Sequence, residues 1–330
     1  MKETLLCCRI TAQEKGLYRL CHDGVEQAAQ VSGKFQYEAL GPSDYPTVGD
    51  EVLADLNGGG QAVIHKVLPR KSLFLRKAAG TAREEQPVAA NVDILFLCMA
   101  LNNDFNLRRL DRYLAAAWNS GATPVVVLTK ADLCGNPSEK VAAVEEAAPG
   151  TDVLLTSAAQ EDGIRPLLPY LTPGRTVAFV GSSGVGKSTL MNGLLGKEIL
   201  ATGGLRNDDR GRHTTTRRQM FFLPCGAALI DTPGMRELGL WDSESGLETA
   251  FADIEALARQ CRFQDCRHEK EPGCAVRAAL ASGELLEERF RSWQRLSAEN
   301  RYADDRAAHM SAKEKKFRMI AQFNKSNSKR

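Results

Sequence analysis

Apolar and polar positions change rhythm along this chain. Up to about residue 77 the apolar residues fall in short runs: Leu5–Thr11, Gly16–Leu20, Phe35–Ala39, Glu51–Leu56 and Ala62–Leu68. Turn signals separate them, namely Gly41-Pro42, Val48-Gly49-Asp50 and Asn57-Gly58-Gly59-Gly60. About five short strands in so little chain predict a small closed barrel of the OB-fold type. Residues 78–90 are polar and read as a linker. From Val92, near-continuous apolar runs alternate with helical stretches. The runs are Ile94–Met99, Val125–Thr129, Val153–Leu155, Thr176–Val180 and Ala227–Ile230; the helices include Leu107–Trp118, Glu139–Ala147 and Lys187–Leu195. Such strands predict a sheet covered on both faces, an α/β domain. From about Leu247 the pattern is helical and charged. The expected division is a barrel over 1–80, an α/β domain over 81–240, and a helical domain with a basic tail over 241–330.

Composition narrows the class. Of 330 residues, 43% are hydrophobic and 25% charged, enough apolar material for real cores. A net charge of +2 gives no whole-chain signal for nucleic acid, but its distribution does. From Ser311 onward Lys313, Lys315, Lys316, Arg318, Lys325, Lys329 and Arg330 face one acid, Glu314. Met1 to Gly16 lacks the pattern of a signal peptide, and Ile94–Leu101 is too short to span a bilayer. The expected setting is the reducing cytoplasm, without membrane. Nine cysteines there suggest metal rather than disulfides where they cluster. The scattered ones, Cys7, Cys8, Cys21, Cys98, Cys134 and Cys225, read as small buried hydrophobes.

Gly181-Ser182-Ser183-Gly184-Val185-Gly186-Lys187-Ser188-Thr189 satisfies G-x-x-x-x-G-K-[ST], after an apolar strand and before a helix. Glycines let the backbone turn its N–H groups toward phosphate oxygens, and the helix N-terminus adds a positive dipole end. Lys187 can reach the β- and γ-phosphates; the Ser188 hydroxyl can ligate Mg²⁺. Asp231-Thr232-Pro233-Gly234 ends a later strand. Asp231 is placed to hold Mg²⁺, usually through water, and the Gly234 N–H to touch the γ-phosphate.

Thr129-Lys130-Ala131-Asp132 ends the strand Val125–Leu128 and resembles N-K-x-D. The Asp132 carboxylate can accept from the guanine N1–H and 2-amino group together, whereas adenine would leave it unpaired. The Lys130 stem can lie over the ring. Thr129 replaces Asn, keeping one donor but losing the second amide arm. Ser157-Ala158 follows another strand and can support the base through a backbone N–H. The base reader precedes the phosphate loop, the reverse of the ordinary order. A circular permutation reconciles that order with one sheet, and leaves the Asp231 region leading directly into the C-terminal domain.

With these motifs the chain resembles the RsgA or YjeQ family of ribosome small-subunit-dependent GTPases over nearly its whole length. Val48-Gly49-Asp50, Gln86-Pro-Val-Ala-Ala-Asn-Val-Asp93 and Asp104-Phe-Asn-Leu-Arg-Arg-Leu-Asp-Arg-Tyr-Leu114 carry the resemblance besides. It implies an OB-fold, a permuted GTPase domain and a zinc domain. It also implies late maturation of the small ribosomal subunit through contact with its rRNA; a monomer is expected.

Many GTPases place Gln after D-x-x-G to orient the attacking water; Met235 stands there and cannot. The Gly-, Arg- and Thr-rich segment Arg206–Arg218 lies where a switch loop belongs. One of Thr214, Thr215 and Thr216 is expected on Mg²⁺, with Thr215 the choice. The resemblance implies that His213 replaces the missing Gln, the alternative being a solvated loop histidine.

Cys261-x4-Cys266-x-His268-x5-Cys274 supplies three thiolates and one imidazole, a closed set for one structural Zn²⁺. Pro272-Gly273 turns the chain so that Cys274 can return. Beyond it, Phe290, Trp293, Leu296 and Tyr302 read as packing residues, with Arg289, Arg291, Arg295 and Arg301 near them. The leading expectation is a GTP-hydrolysing assembly factor. A small-molecule P-loop kinase or ATPase and a nucleotide-insensitive RNA scaffold compete with it. Asp132 speaks against the first, and Lys187, Ser188 and Asp231 against the second.

Overall fold

The computed structural model describes residues 5–14, 16–56, 60–77, 85–102, 104–200, 218–232 and 244–301. The chain divides into two compact units, 1–239 and 240–330. Among the described residues no helix is long and apolar enough to cross a membrane.

The first unit begins with β1 (Leu6–Glu14), β2 (Leu17–His22) and β3 (Val25–Val31), then α1 (Gly33–Glu38), β4 (Glu51–Asp55) and β5 (Ala62–Val67). Pairings β1–β2, β2–β3, β3–β5, β5–β4 and β4–β1 close a five-stranded barrel. Ile10, Leu20, Val52, Ala54 and Ile64 fill it, none exposed to solvent. Two expectations change here. Phe35–Ala39 is not a strand: the Ser32 side chain accepts from the Phe35 N–H and caps α1. The third strand is instead Val25–Val31, paired with β2 across Asp23-Gly24, both at positive φ (48° and 80°). That is the backbone of a two-residue hairpin turn.

The polar stretch 78–90 is not wholly a linker either. Glu85–Ala90 forms β7 against β6 (Leu73–Lys77). The remaining elements are β8 (Ile94–Ala100), α2 (Leu107–Ser120), β9 (Thr123–Thr129), α3 (Pro137–Ala147), β10 (Asp152–Leu155), β11 (Thr176–Val180), α4 (Lys187–Leu195), β12 (Arg218–Phe222) and β13 (Ala228–Asp231). Their order across the sheet is β10-β9-β8-β11-β13-β12. All are parallel except β12, which runs antiparallel to β13. Every residue of β8 and β11 is buried, as their unbroken apolar runs require. Phe96 and Phe179 meet edge to face at 5.2 Å in this core.

Barrel and α/β sheet are joined edge to edge: Ala12 and Gln13 of β1 pair with Gln219 and Arg218 of β12. The Val48-Gly49-Asp50 turn fastens the seam. Gly49 sits at φ +94°, and a Cβ there would lie 2.1 Å from the Ala90 carbonyl oxygen. The fully buried Asp50 carboxylate takes two 2.7 Å bonds from Arg70 and one from the Thr47 N–H. Asn91 donates to the Gly49 carbonyl, while Asp93 accepts from the Thr176 N–H that opens β11.

The second unit holds α5 (Glu244–Ala250), α6 (Ala252–Ala258), α7 (Ala275–Ser282) and a further helix, α8, over 287–301. Phe290 and Leu296 of α8 are buried; Tyr302 lies outside the described residues. Arg289 grips both carboxylate oxygens of Asp253 at 2.7 Å and lies over the Phe251 ring. Of the scattered cysteines only Cys8 and Cys98 are buried; Cys7 and Cys225 are exposed, and Cys21 and Cys134 lie between. Cys7 and Cys8 are successive residues of β1 and so point to opposite faces, of which only that of Cys8 is buried.

Candidate nucleotide and metal sites

The segment 181–189 runs from the end of β11 to the start of α4. Gly181, Gly184 and Gly186 have φ of 154°, 80° and 103°. At Gly181 a Cβ would meet the Cys98 carbonyl oxygen at 2.4 Å, so only glycine lets the loop leave β11 beside β8. Val185 is buried under the loop, and Ser183, Gly184 and Thr189 are exposed. The Lys187 ammonium donates to the Gly181 and Ser182 carbonyls at 2.7 and 2.8 Å. Burial pulls the Lys187 pKa down, opposed by the nearby charges, Asp231 among them. Burial pushes the Asp231 carboxyl up, opposed by Lys187.

Asp231 pairs in register with Phe179, two residues before the loop. The buried Thr232 hydroxyl donates to the Phe179 carbonyl and locks that alignment. A hydroxyl at Ser188 and a carboxylate at Asp231 are hard oxygen donors of the kind Mg²⁺ takes. His213, Thr215, Gly234 and Met235 lie outside the described residues.

The segment Thr129–Asp132, expected to read the base, meets the glycine-rich loop directly. The buried Thr129 hydroxyl donates to the Val185 carbonyl, and Lys130 reaches the Gly184 carbonyl at 2.6 Å. Lys130 sits in the left-handed region at φ 58°. After that turn Ala131–Leu133 form a short 3₁₀ helix, the Ala131 N–H donating to the Thr156 carbonyl at 3.1 Å. Thr129 thus spends its one donor on the loop. The exposed Asp132 carboxylate accepts from the Ser157 hydroxyl at 2.5 Å. Ser157 is buried and Ala158 exposed.

Three further contributors carry no motif signature of their own. Gly163 closes the turn after Ser157, and a Cβ there would fall 1.8 Å from the Ser157 carbonyl oxygen. Thr232 was hidden inside the D-x-P-G motif. Asp104, in the connection between β8 and α2, accepts from the Ser182 hydroxyl at 2.8 and 2.9 Å. Asp104 lies in a stretch that carried the family resemblance, which was the available signal.

In the second unit Cys261, Cys266, His268 and Cys274 place their ligand atoms within 4.8 Å of one another. Cys261 and Cys274 sulfurs are 3.8 Å apart, and the His268 Nδ1 stands 3.6 and 3.4 Å from them. A tetrahedron with metal–sulfur bonds of about 2.3 Å has edges of about 3.8 Å, shorter toward nitrogen. The donor set therefore fits Zn²⁺. Cys274 also caps α7, accepting from the Arg277 N–H at 3.4 Å. His268 is at φ 60° and packs against Phe290 and Trp293. The Trp293 indole donates to Glu255 at 2.9 Å.

Comparison with known proteins agrees with this geometry. The family model described as RsgA GTPase matches residues 67–241. An ABC transporter model matches 166–329, a span that includes the phosphate loop. Small ribosomal subunit biogenesis GTPase RsgA 2 of Lactiplantibacillus plantarum is 50% identical over 89% of this chain and 83% of its own. Small ribosomal subunit biogenesis GTPase RsgA of Methanosarcina acetivorans is 45% identical over 93% and 82%. The crystal structure of YjeQ from Thermotoga maritima superposes with a TM-score of 0.68 at 28% identity, covering 90% of this chain and 99% of that one. The fold is also that of YloQ, described as a circularly permuted GTPase, at a TM-score of 0.65 and 23% identity over 90% and 96%.

Proposed function

The chain belongs to the RsgA GTPase family, and from that premise we propose that it is a cytoplasmic assembly GTPase of the small ribosomal subunit. It hydrolyses GTP to GDP and phosphate and uses the difference between the two nucleotides to hold and release that subunit. One observation carries the reading: Thr129 and Lys130 bind the carbonyls of Val185 and Gly184 across 56 and 54 residues of chain. A carboxylate that matches guanine and a loop that matches phosphates are thereby held as one site. The names of the relatives support the subunit as partner.

Hydrolysis breaks the bond from the γ-phosphorus to the β–γ bridging oxygen and forms one to a water oxygen, the water proton leaving with phosphate. The protein's task is positioning and charge stabilisation. Asp132, braced by Ser157, selects guanine; Lys187 and the N–H groups of 182–189 offset the phosphate charge. Ser188, Asp231 and Thr215 are the residues that would hold Mg²⁺, which neutralises β- and γ-oxygens when bound. His213 orients the water, Met235 being unable to, and the Gly234 N–H touches the γ-phosphate. Cys261, Cys266, His268 and Cys274 would hold one Zn²⁺, whose binding energy is folding energy for their domain.

The chain works as a monomer in three parts, the barrel over 1–80, the GTPase over 81–240 and the zinc domain over 241–330. The barrel and the basic stretch Lys313–Arg330 supply the contacts to rRNA. Backbone-directed RNA contact weakens steeply with salt. The test is turnover of GTP by the full chain with and without purified small subunits, beside cosedimentation in a non-hydrolysable GTP analogue and in GDP. Stimulated turnover and tighter binding with the analogue are expected. Unstimulated turnover together with equal binding in both nucleotides refutes the reading.

A further inference from the structure

A glycine-rich loop is conformationally loose, and whatever orders it before nucleotide arrives spares that cost at binding. Here the loop is tied at three places. Thr129 and Lys130 hold its Val185 and Gly184 carbonyls. The third tie differs in kind, being an anion. Ser182 donates its hydroxyl to both oxygens of Asp104, at 2.8 and 2.9 Å, while its carbonyl accepts from Lys187 at 2.8 Å. The Ser182 residue is thus gripped from two sides, immediately before the loop N–H groups that face phosphate.

Asp104 is itself held. Arg109 lies one turn into α2, and its guanidinium meets the Asp104 carboxylate at 2.9 Å and its carbonyl as well. The Asn106 side chain, the cap of α2, accepts from the Arg109 N–H at 3.1 Å. The Asn102 side chain accepts from the Asp104 N–H at 3.0 Å. A bare carboxylate beside a polyphosphate site would repel the ligand. Arg109 offsets that charge, so Asp104 can act on the loop as a hydrogen-bond acceptor.

We infer that Asp104 is a positioning residue for the phosphate loop, acting through Ser182 and kept in place by Arg109. The inference rests on the nucleotide reading above. Its action is on affinity for the diphosphate part of the nucleotide, common to GDP and GTP, and not on the choice of base.

The experiment measures GDP and GTP-analogue affinity of the full chain for Ser182→Ala, Asp104→Ala, Asp104→Asn and the double variant S182A/D104A. Each alanine variant is expected to weaken GDP about tenfold, the size of one charge-assisted hydrogen bond. The double variant is expected to be no weaker than the worse single one, because both remove the same bond. Asp104→Asn should recover part of the loss, its amide oxygen still accepting from Ser182. The ratio of guanine to adenine nucleotide affinity should not move, since Asp132 is untouched. Singles within twofold of the parent, or additive effects in the double variant, overturn the role of Asp104. Should Asp104→Ala fail to fold, Ser182→Ala decides alone, since it removes one oxygen from a half-buried side chain. A parent chain that binds no GDP overturns the nucleotide reading itself, whereas a parent that binds with unchanged variants overturns only this inference.

Discussion

Gly163 offers a severe test of how the proposed base-reading side is built. It sits in a tight turn in which the Ser157 N–H donates to its carbonyl at 3.0 Å and its own N–H donates to Gln160 at 3.1 Å. Gly163→Ala would put a methyl 1.8 Å from the Ser157 carbonyl oxygen and 2.8 Å from its carbon. Both are backbone atoms, so no side chain can swing aside. Since real contacts of this type stay beyond 3.0 Å, the turn must open by at least about 1.2 Å. Overpacking of this kind costs about 1–3 kcal/mol. The displaced residue is Ser157, whose hydroxyl braces Asp132 at 2.5 Å. On the proposed role of Asp132, the strain therefore falls on stability and on guanine recognition together. If about 1.4 kcal/mol reaches the bound state, GDP affinity drops about tenfold. Titration of a fluorescent GDP analogue, competed by GTP, ATP and inorganic pyrophosphate, separates base from phosphate. The expected result is weaker guanine nucleotide, a narrower gap between GTP and ATP, unchanged pyrophosphate and a lower unfolding temperature. A variant with parental Tm and GDP affinity would refute the reasoning, showing that the turn yields without moving Ser157.

Asp132→Asn should weaken GDP and admit xanthine nucleotides, because an amide donor matches the xanthine ring carbonyl; equal displacement of labelled GDP by ATP and GTP from the parent chain would sink the assignment. Cys266→Ala should lose the zinc found by elemental analysis of chelator-free parent protein and lower the unfolding temperature of the C-terminal domain; neither zinc nor iron in the parent would count against the site. His213→Ala should reduce turnover far more than GTP affinity, and unchanged turnover with and without small subunits would remove His213 from the mechanism.

The candidate site residues could be named from the chain because their motifs are short, local patterns. A phosphate loop needs its glycines and lysine at fixed spacing, and the four candidate zinc ligands fall within one stretch, Cys261–Cys274. The buried strands β8 and β11 announced themselves by unbroken apolar runs, since both faces are covered. β3 did not: Val25–Val31 reads Val-Glu-Gln-Ala-Ala-Gln-Val, with only two positions buried in the barrel. Phe35–Ala39 looked like a strand because aromatic residues favour one, yet the cap at Ser32 and the neighbouring chain settled it as α1. Glu85–Ala90 looked like linker because a hairpin with β6 needs pairing, not hydrophobicity. The contacts that make separate motifs one site were decided only by the tertiary structure. Asp104 with Ser182, Thr129 with Val185 and Thr232 with Phe179 join residues 53 to 78 positions apart. Each is a single hydrogen bond or a bond pair between common residue types. Sequence spacing carries no trace of such a contact, because the parallel sheet order, and not the chain, brings its two ends together.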